Sequence, residues 1–239
     1  MPAALQGTEQ RFNYAALGTA TPSAAQPAPR DALVLLEQFG TTILVKRDRQ
    51  IHGQGEQADY CYKILRGCVR TVNFTEDGRR QVGEFLVPGD FLGFDTLDTY
   101  DFGAEALCDV VLRRYPRQTM DKLADSNIVL TRRLRDMISI SLRMAHARML
   151  LGRKTASERI ATFLIEMEER LPTSHSHVLD LPMTRGDIAD HLGLTIETVC
   201  RVLAHLRRDG MVTINPNTRG SITIRDGTAL REMASETRH

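Results

Sequence analysis

Residues 184–210 read TRGDIADHLGLTIETVCRVLAHLRRDG, and this stretch decides the fold. Thr184 is a fitting helix N-cap with Asp187 three residues on, so a helix is expected up to Leu192. Ile188, Ala189 and Leu192 supply its inner face. Gly193 supplies a turn in which a side chain would be strained. Thr195 then caps a second helix, which buries Val199, Val202, Leu203 and Leu206. Its other face carries Ile196, Glu197, Cys200, Arg201, His205 and Arg208. Helix, glycine-bearing turn and helix together make the helix-turn-helix pattern, whose second helix enters the major groove of DNA.

The exposed face has the chemistry for that task. Glu197 and Arg201 stand four apart, on one side of the helix and expected to pair with each other. Glu accepts from cytosine N4, and Arg donates twice to guanine O6 and N7. Ile196 beside them suits a thymine methyl, and Cys200 lies in the same contact zone. An isolated surface pair of this kind is worth only about 0.3–0.5 kcal/mol; its place in a helix-turn-helix is what makes base reading the preferred role. Oxidation of Cys200 would place bulk and charge against the DNA, so it is also a candidate redox-sensitive position, although a small residue tolerated at a tight contact is the preferred reading. Thr184, Arg185 and Thr195 open the two helices and suit backbone phosphates. Thr198 along the groove wall and Arg219 in the following hairpin are further phosphate contacts, which set register rather than sequence.

Working outward, residues 211–224 (MVTINPNTRGSITI) predict a two-stranded hairpin with Asn215, Pro216 and Asn217 at its tip. The polar tail beyond Thr228 is expected to fray. Upstream, residues 157–171 predict a helix, and residues 172–182 (PTSHSHVLDLP) a polar link. Residues 117–151 contain neither Gly nor Pro, and Leu123, Leu130, Met137, Met144 and Leu151 recur every seven residues, with Leu134, Ile138 and Ala145 widening the stripe. One long helix is expected, with Leu123, Leu130, Leu134, Met137 and Met144 as the seam of a homodimer. The alternative is a helix packed on its own β domain. Between Thr41 and Pro116, short β-branched and aromatic runs alternate with turns such as Glu76-Asp77-Gly78-Arg79 and Pro88-Gly89-Asp90, which predicts an antiparallel barrel or sandwich. Residues 1–30, rich in Ala, Pro, Gln and Thr, read as a mobile arm, followed by a short helix at 31–39. The expected division is 1–30, 31–116, 117–151 and 152–239.

Composition sets the outer bounds. The 239 residues carry 31 Lys+Arg against 30 Asp+Glu, a net charge of +1. Residues 184–225 hold six arginines against four acids, so local charge permits DNA binding without demanding it. No apolar run is long enough to span a membrane, and no secretory signal is expected. Four scattered cysteines, Cys61, Cys68, Cys108 and Cys200, fit a reducing cytoplasm rather than a disulfide scaffold. The seven histidines form no metal constellation, and no nucleophile–base pairing or phosphate loop is present, so neither an enzyme nor a bound cofactor is expected.

In the order of its parts the chain resembles the Crp/Fnr family of bacterial transcription regulators over about residues 35–226. The family pattern is a β-roll like that of cyclic-nucleotide-binding domains, a long dimer helix and a winged helix-turn-helix, an α+β architecture. Its recognition motif stands here as Glu197-Thr198-Val199-Cys200-Arg201, and residues 88–95 (PGDFLGFD) look like the β-roll motif of the Fnr and FixK branches. The phosphate-binding Arg of the nucleotide-binding relatives is missing from residues 102–106, and acids sit nearby, so no cyclic nucleotide is expected. No cysteine precedes Cys61 and Arg113 stands at the equivalent β-roll position, so an iron–sulfur cluster is not expected either. What remains resembles the FixK branch. The resemblance implies a cytoplasmic homodimeric activator that works with RNA polymerase at a TTGAT-N4-ATCAA palindrome, controlling microaerobic or anaerobic respiration and nitrogen-fixation genes. The competing expectation is a receptor whose β-roll ligand gates DNA binding.

Overall fold

The computed structural model describes residues 36–75, 78–94, 98–171, 177–215 and 220–235. Eight strands come first: β1 (Thr41–Val45), β2 (Gln50–His52), β3 (Tyr60–Arg66), β4 (Val69–Phe74), β5 (Arg80–Leu86), β6 (Phe91–Leu92), β7 (Gly103–Ala106) and β8 (Val110–Pro116). They form two antiparallel four-stranded sheets, ordered β1-β8-β3-β6 and β2-β7-β4-β5. Alternation of side chains lets each sheet turn one apolar row inward. Ile64, Leu112 and Val110 from the first sheet meet Val69, Leu86 and Ala104 from the second in one buried cluster. The strands at 41–116 are thus the expected β-roll. The Pro88-Gly89-Asp90 turn closes with Gly89 at φ 100°, and the Asp90 carboxylate accepts from the Val87 N–H at 2.8 Å.

The helical middle departs from expectation. In place of one helix over 117–151 there are two, α1 (Arg117–Ser126) and α2 (Ile128–Leu151). Asn127 between them is extended, and its side chain accepts from the N–H groups of Val129 and Leu130. A short amide side chain offers the backbone a competing partner, so a helix restarts where it stands. A second correction follows from packing. Leu130 is buried within the chain itself with Leu36, Tyr115 and Met120, and Leu123 and Leu134 pack on that cluster. Leu130 therefore offers nothing to a second copy. The apolar side chains that α2 leaves exposed include Ile138, Leu142 and Met149, with half-buried Ala145 between them. These recur at i, i+4, i+7 and i+11; Ile138 and Ala145 belong to the flank of the expected stripe, and Leu142 and Met149 extend that flank.

The remaining elements are α3 (Ala156–Arg170), β9 (Val178–Asp180), α4 (Arg185–Leu192), α5 (Ile196–Arg208), β10 (Val212–Ile214), β11 (Ser221–Ile224) and α6 (Gly227–Ser235). The expected hairpin is β10–β11, but β9 joins it to give a three-stranded sheet ordered β10-β11-β9. Part of the segment read as a polar link is thus a strand, because Leu179 fills the core completely. The chain beyond Thr228 does not fray up to Ser235. Asp226 caps α6 by accepting from the Ala229 N–H at 2.9 Å, Leu230 is fully buried, and Lys154 donates to the Ala234 carbonyl at 2.8 Å. Among the described residues no helix is long and apolar enough to cross a membrane.

Candidate nucleic-acid interface

Two capped helices and one glycine build the site. Thr184 accepts from the Asp187 N–H, and the Asp187 carboxylate accepts from the Thr184 N–H at 2.8 Å, a reciprocal capping box. Gly193 ends α4 at φ 63°, ψ 43°, the left-handed conformation that a Cβ penalises. Thr195 starts α5 by accepting from the Thr198 N–H at 3.2 Å. Val199, Val202, Leu203 and Leu206 are buried against Ile188, Ala189 and Leu192, so α5 turns its remaining side to solvent.

That side carries Ile196, which is 50% exposed, and Glu197, Cys200, Arg201, His205 and Arg208, all exposed. The N-terminus of α4 abuts it, since a Cβ built on Gly186 would stand 3.6 Å from the Ile196 side chain. Thr184, Arg185, Ile196, Glu197, Cys200 and Arg201 are thereby gathered at one corner of the domain. The expected Glu197–Arg201 ion pair is not formed. Arg201 reaches the Thr198 hydroxyl at 3.4 Å instead, and Glu197 is held below the usual carboxylate range by its own backbone N–H and then by the Thr195 hydroxyl. The physical reason is local: a carboxylate in the first turn gains more from free helix N–H groups than from a solvated guanidinium one turn away. The acid and the base are left separately available.

Arg185 is half-buried, and burial lowers its pKa. It lines an open depression of about 440 Å³ with Cys200, Arg207, Arg208 and Ile214 of β10. Three guanidiniums with no acid in the lining suit an anion. Arg207 was not singled out from the sequence; its seven-residue spacing from Cys200 was the available signal. Arg219 lies outside the described residues, as do Pro216 and Asn217 of the expected tip. The neighbour of Cys200 within this depression is Arg185, from the preceding helix.

A second concavity, about 840 Å³, lies between the β-roll and α2, where Met137 and Met144 face His52 and Tyr100. Its residues do not suit a phosphate. Its two arginines are already paired, Arg148 with Glu84 and Arg170 with Asp90 and Glu166. His52 is buried, stacked 3.6 Å from Tyr100, and burial pushes its pKa down to about 4, so it is neutral.

Comparison with known proteins agrees with both halves. Residues 43–127 match the cyclic nucleotide-binding domain, and residues 158–233 match the Crp-like helix-turn-helix domain. The nitrogen fixation regulation protein FixK of Azorhizobium caulinodans is 37% identical over 229 residues, 94% of this chain and 90% of that protein. Its namesake in Rhizobium meliloti is 35% identical over 90% of this chain and 91% of the relative. The solved structure of FixK2 from Bradyrhizobium japonicum is 38% identical and superposes with a TM-score of 0.78, covering 83% of this chain and 99% of that one.

Proposed function

Because the chain belongs to the Crp/Fnr family, on its FixK branch, and is a helix-turn-helix transcription regulator rather than an enzyme, we propose that it reads DNA as a homodimer and acts mainly as an activator. The observation that carries the reading is the corner formed by Ile196, Glu197, Cys200 and Arg201, exposed on a rigidly capped helix. In the major groove Arg201 takes guanine O6 and N7, Glu197 accepts from cytosine N4, and Ile196 and Cys200 contact the base edges beside them. Thr184, Arg185, Thr195 and Thr198 hold the phosphates, joined by Arg207 beside Arg185 and by Arg219 of the wing. Two copies pair along α2 through Ile138, Leu142, Ala145 and Met149, with Met137 and Met144 at the margin, and so present two reading helices about 34 Å apart to successive major grooves.

The target that this arrangement and the family suggest is a TTGAT-N4-ATCAA palindrome, at genes for microaerobic or anaerobic respiration and nitrogen fixation. RNA polymerase is the partner at such promoters. Selection from random duplexes with purified, additive-free protein, followed by sizing of the complex, tests the reading. Two protomers on a palindrome of that type are expected; a non-palindromic preference or a single bound protomer counts against it. Peroxide is expected to abolish binding by the native protein and to spare Cys200→Ser, and equal loss in both removes Cys200 as a redox-sensitive position.

A second reading, in which a β-roll ligand gates DNA binding, is favoured by one feature. His52 is buried beside the 840 Å³ cavity with no hydrogen-bond partner for either ring nitrogen among the described residues. Strict dependence of DNA binding on an added neutral small molecule would favour it.

A further inference from the structure

Strand β5 touches three helices of the C-terminal half. Glu84 pairs with Arg148 of α2. Arg170 of α3 donates to the Phe85 carbonyl at 3.0 Å and to the Asp90 carboxylate at 2.7 Å. The Phe85 ring stands edge-on to Phe163 of α3 at 5.9 Å and lies 4.9 Å from His191 of α4. Val72, Val82 and Phe85 of the β-roll share a single buried cluster with Ile160, Ile188 and Leu192. The winged helix is therefore seated on its own β-roll through apolar surface, and is not a loosely tethered appendage.

A set of charges gives that seat a direction. Arg70 of β4 is braced by Glu105 at 2.6 Å and donates to Asp187 Oδ1 at 2.6 Å. Arg80, the first residue of β5, donates to the same Oδ1 at 3.0 Å and to Asp190 Oδ2 at 2.6 Å. Its Nε reaches that Asp190 oxygen too, at 3.0 Å. The Asp187 side chain is 1% exposed, and its other oxygen accepts both the N–H and the hydroxyl of Thr184 at 2.8 Å. Burial alone would raise the pKa of Asp187; the Thr184 donors and the two guanidiniums hold it below the usual carboxylate range. One carboxylate thus caps the first helix of the DNA-reading motif with one oxygen and binds the β-roll with the other. A tilt too small to admit water would leave the buried Asp187 carboxylate without its guanidiniums, so the contact favours one seating over a continuum of small tilts.

We propose that Arg70 and Arg80 form a positioning clamp that fixes the helix-turn-helix on its own β-roll and so sets the separation of the two reading helices in the dimer. A masking role does not fit the geometry, because Glu197, Cys200 and Arg201 stay exposed while the clamp is closed. The need for such a device comes from DNA. Half-sites lie one helical turn apart, and a shift of one base pair moves and rotates the next groove. The link from α2 to α3 is only residues 152–155, and side contacts are what stop it pivoting.

The inference rests on the dimeric DNA reading, and its test separates the two. Full-length native protein, Arg80→Ala, Arg80→Lys, Asp190→Ala and the Arg80→Ala/Asp190→Ala double variant are titrated on selected duplexes with native half-site spacing, with one base pair added or removed, and with a single half-site. Arg80→Ala is expected to weaken binding at native spacing about tenfold, through lost preorganisation. It should also shrink the penalty for altered spacing and leave the single half-site unaffected. The double variant is expected to be little worse than Arg80→Ala, because both residues serve one contact. Hydrogen exchange of the free proteins over residues 185–192 is expected to quicken in Arg80→Ala. Unchanged or tighter binding at native spacing, with the spacing penalty intact, overturns the clamp. If the native protein binds no duplex, the DNA reading fails and hydrogen exchange decides alone: equal protection in both proteins overturns the clamp. Should Arg80→Ala not fold, Arg80→Lys, which keeps the charge but loses the two-pronged contact, is judged by the same outcomes.

Discussion

Helix α5 is apolar along one side, and helix α2 is apolar along two. In α5 every large buried residue lies on the face toward α4, and the opposite face is polar apart from Ile196, Cys200 and Ala204. In α2, Leu130 and Leu134 pack within the chain itself and Met137 and Met144 are half-buried, while Ile138, Leu142 and Met149 are exposed. Periodicity assigns a face only when one side is apolar. With two apolar sides it reports a buried helix and says nothing of which neighbour covers which side. The difference is one of role: α5 needs a free face for its ligand, while α2 is proposed to be sandwiched between its own β-roll and a second copy.

The difference can be broken at either helix. Leu142→Asp places a charge in the proposed seam and is expected to weaken dimerisation at least about a hundredfold, read by sedimentation at micromolar protein. A dimer unchanged by this substitution removes the outward stripe from the interface. Leu130→Ala, three turns earlier on the inner stripe, should instead cost about 2–5 kcal/mol of folding stability and leave the association constant unchanged when measured below the unfolding transition. In α5, Arg201→Ala is expected to cost about 1–3 kcal/mol at one base position. Arg185→Ala should weaken all sequences alike and flatten the salt dependence, which titrations on single-base variants at two salt concentrations distinguish.

Two smaller effects sharpen the same contrast. The inner side of α2 overlooks His52, whose folded pKa of about 4 lies below the ordinary 6.5. The unfolded chain therefore takes up the proton first, and this residue destabilises the fold as pH falls from 6.5 towards about 4, by on the order of 2 kcal/mol. The slope is half its full value at pH 6.5 and fades about one pH unit above it. Urea midpoints at pH 7 and pH 4.5 should differ more in the native protein than in His52→Gln, and an equal difference excludes His52 as the cause. At the start of α5, Thr195→Ala removes a cap and should cost about 1 kcal/mol without altering base preference.

Much of the site was legible because its signals are local. Thr184 with Asp187, Gly193, and Thr195 each satisfy or permit a backbone geometry within four residues, so the two helices and their turn follow from adjacent side chains. The buried set of α5 followed from a one-sided stripe. Illegible were the contacts made across long stretches of chain. Nothing near Asp187 announces that Arg70 and Arg80 meet it from more than a hundred residues away. The Glu197–Arg201 pair failed for a different reason: a favourable spacing was outbid by nearer N–H groups.

By itself the chain's order of residues determined the element types, the helix-turn-helix with its exposed corner, and the β-roll ahead of it, because caps, turns and one-sided stripes act over a few residues. Only the tertiary structure decided which side of α2 faces home, that the segments at 178–180 and 227–235 are ordered elements, and that a single carboxylate joins the two halves. Those outcomes depend on which surfaces meet, and long-range desolvation and charge pairing settle that.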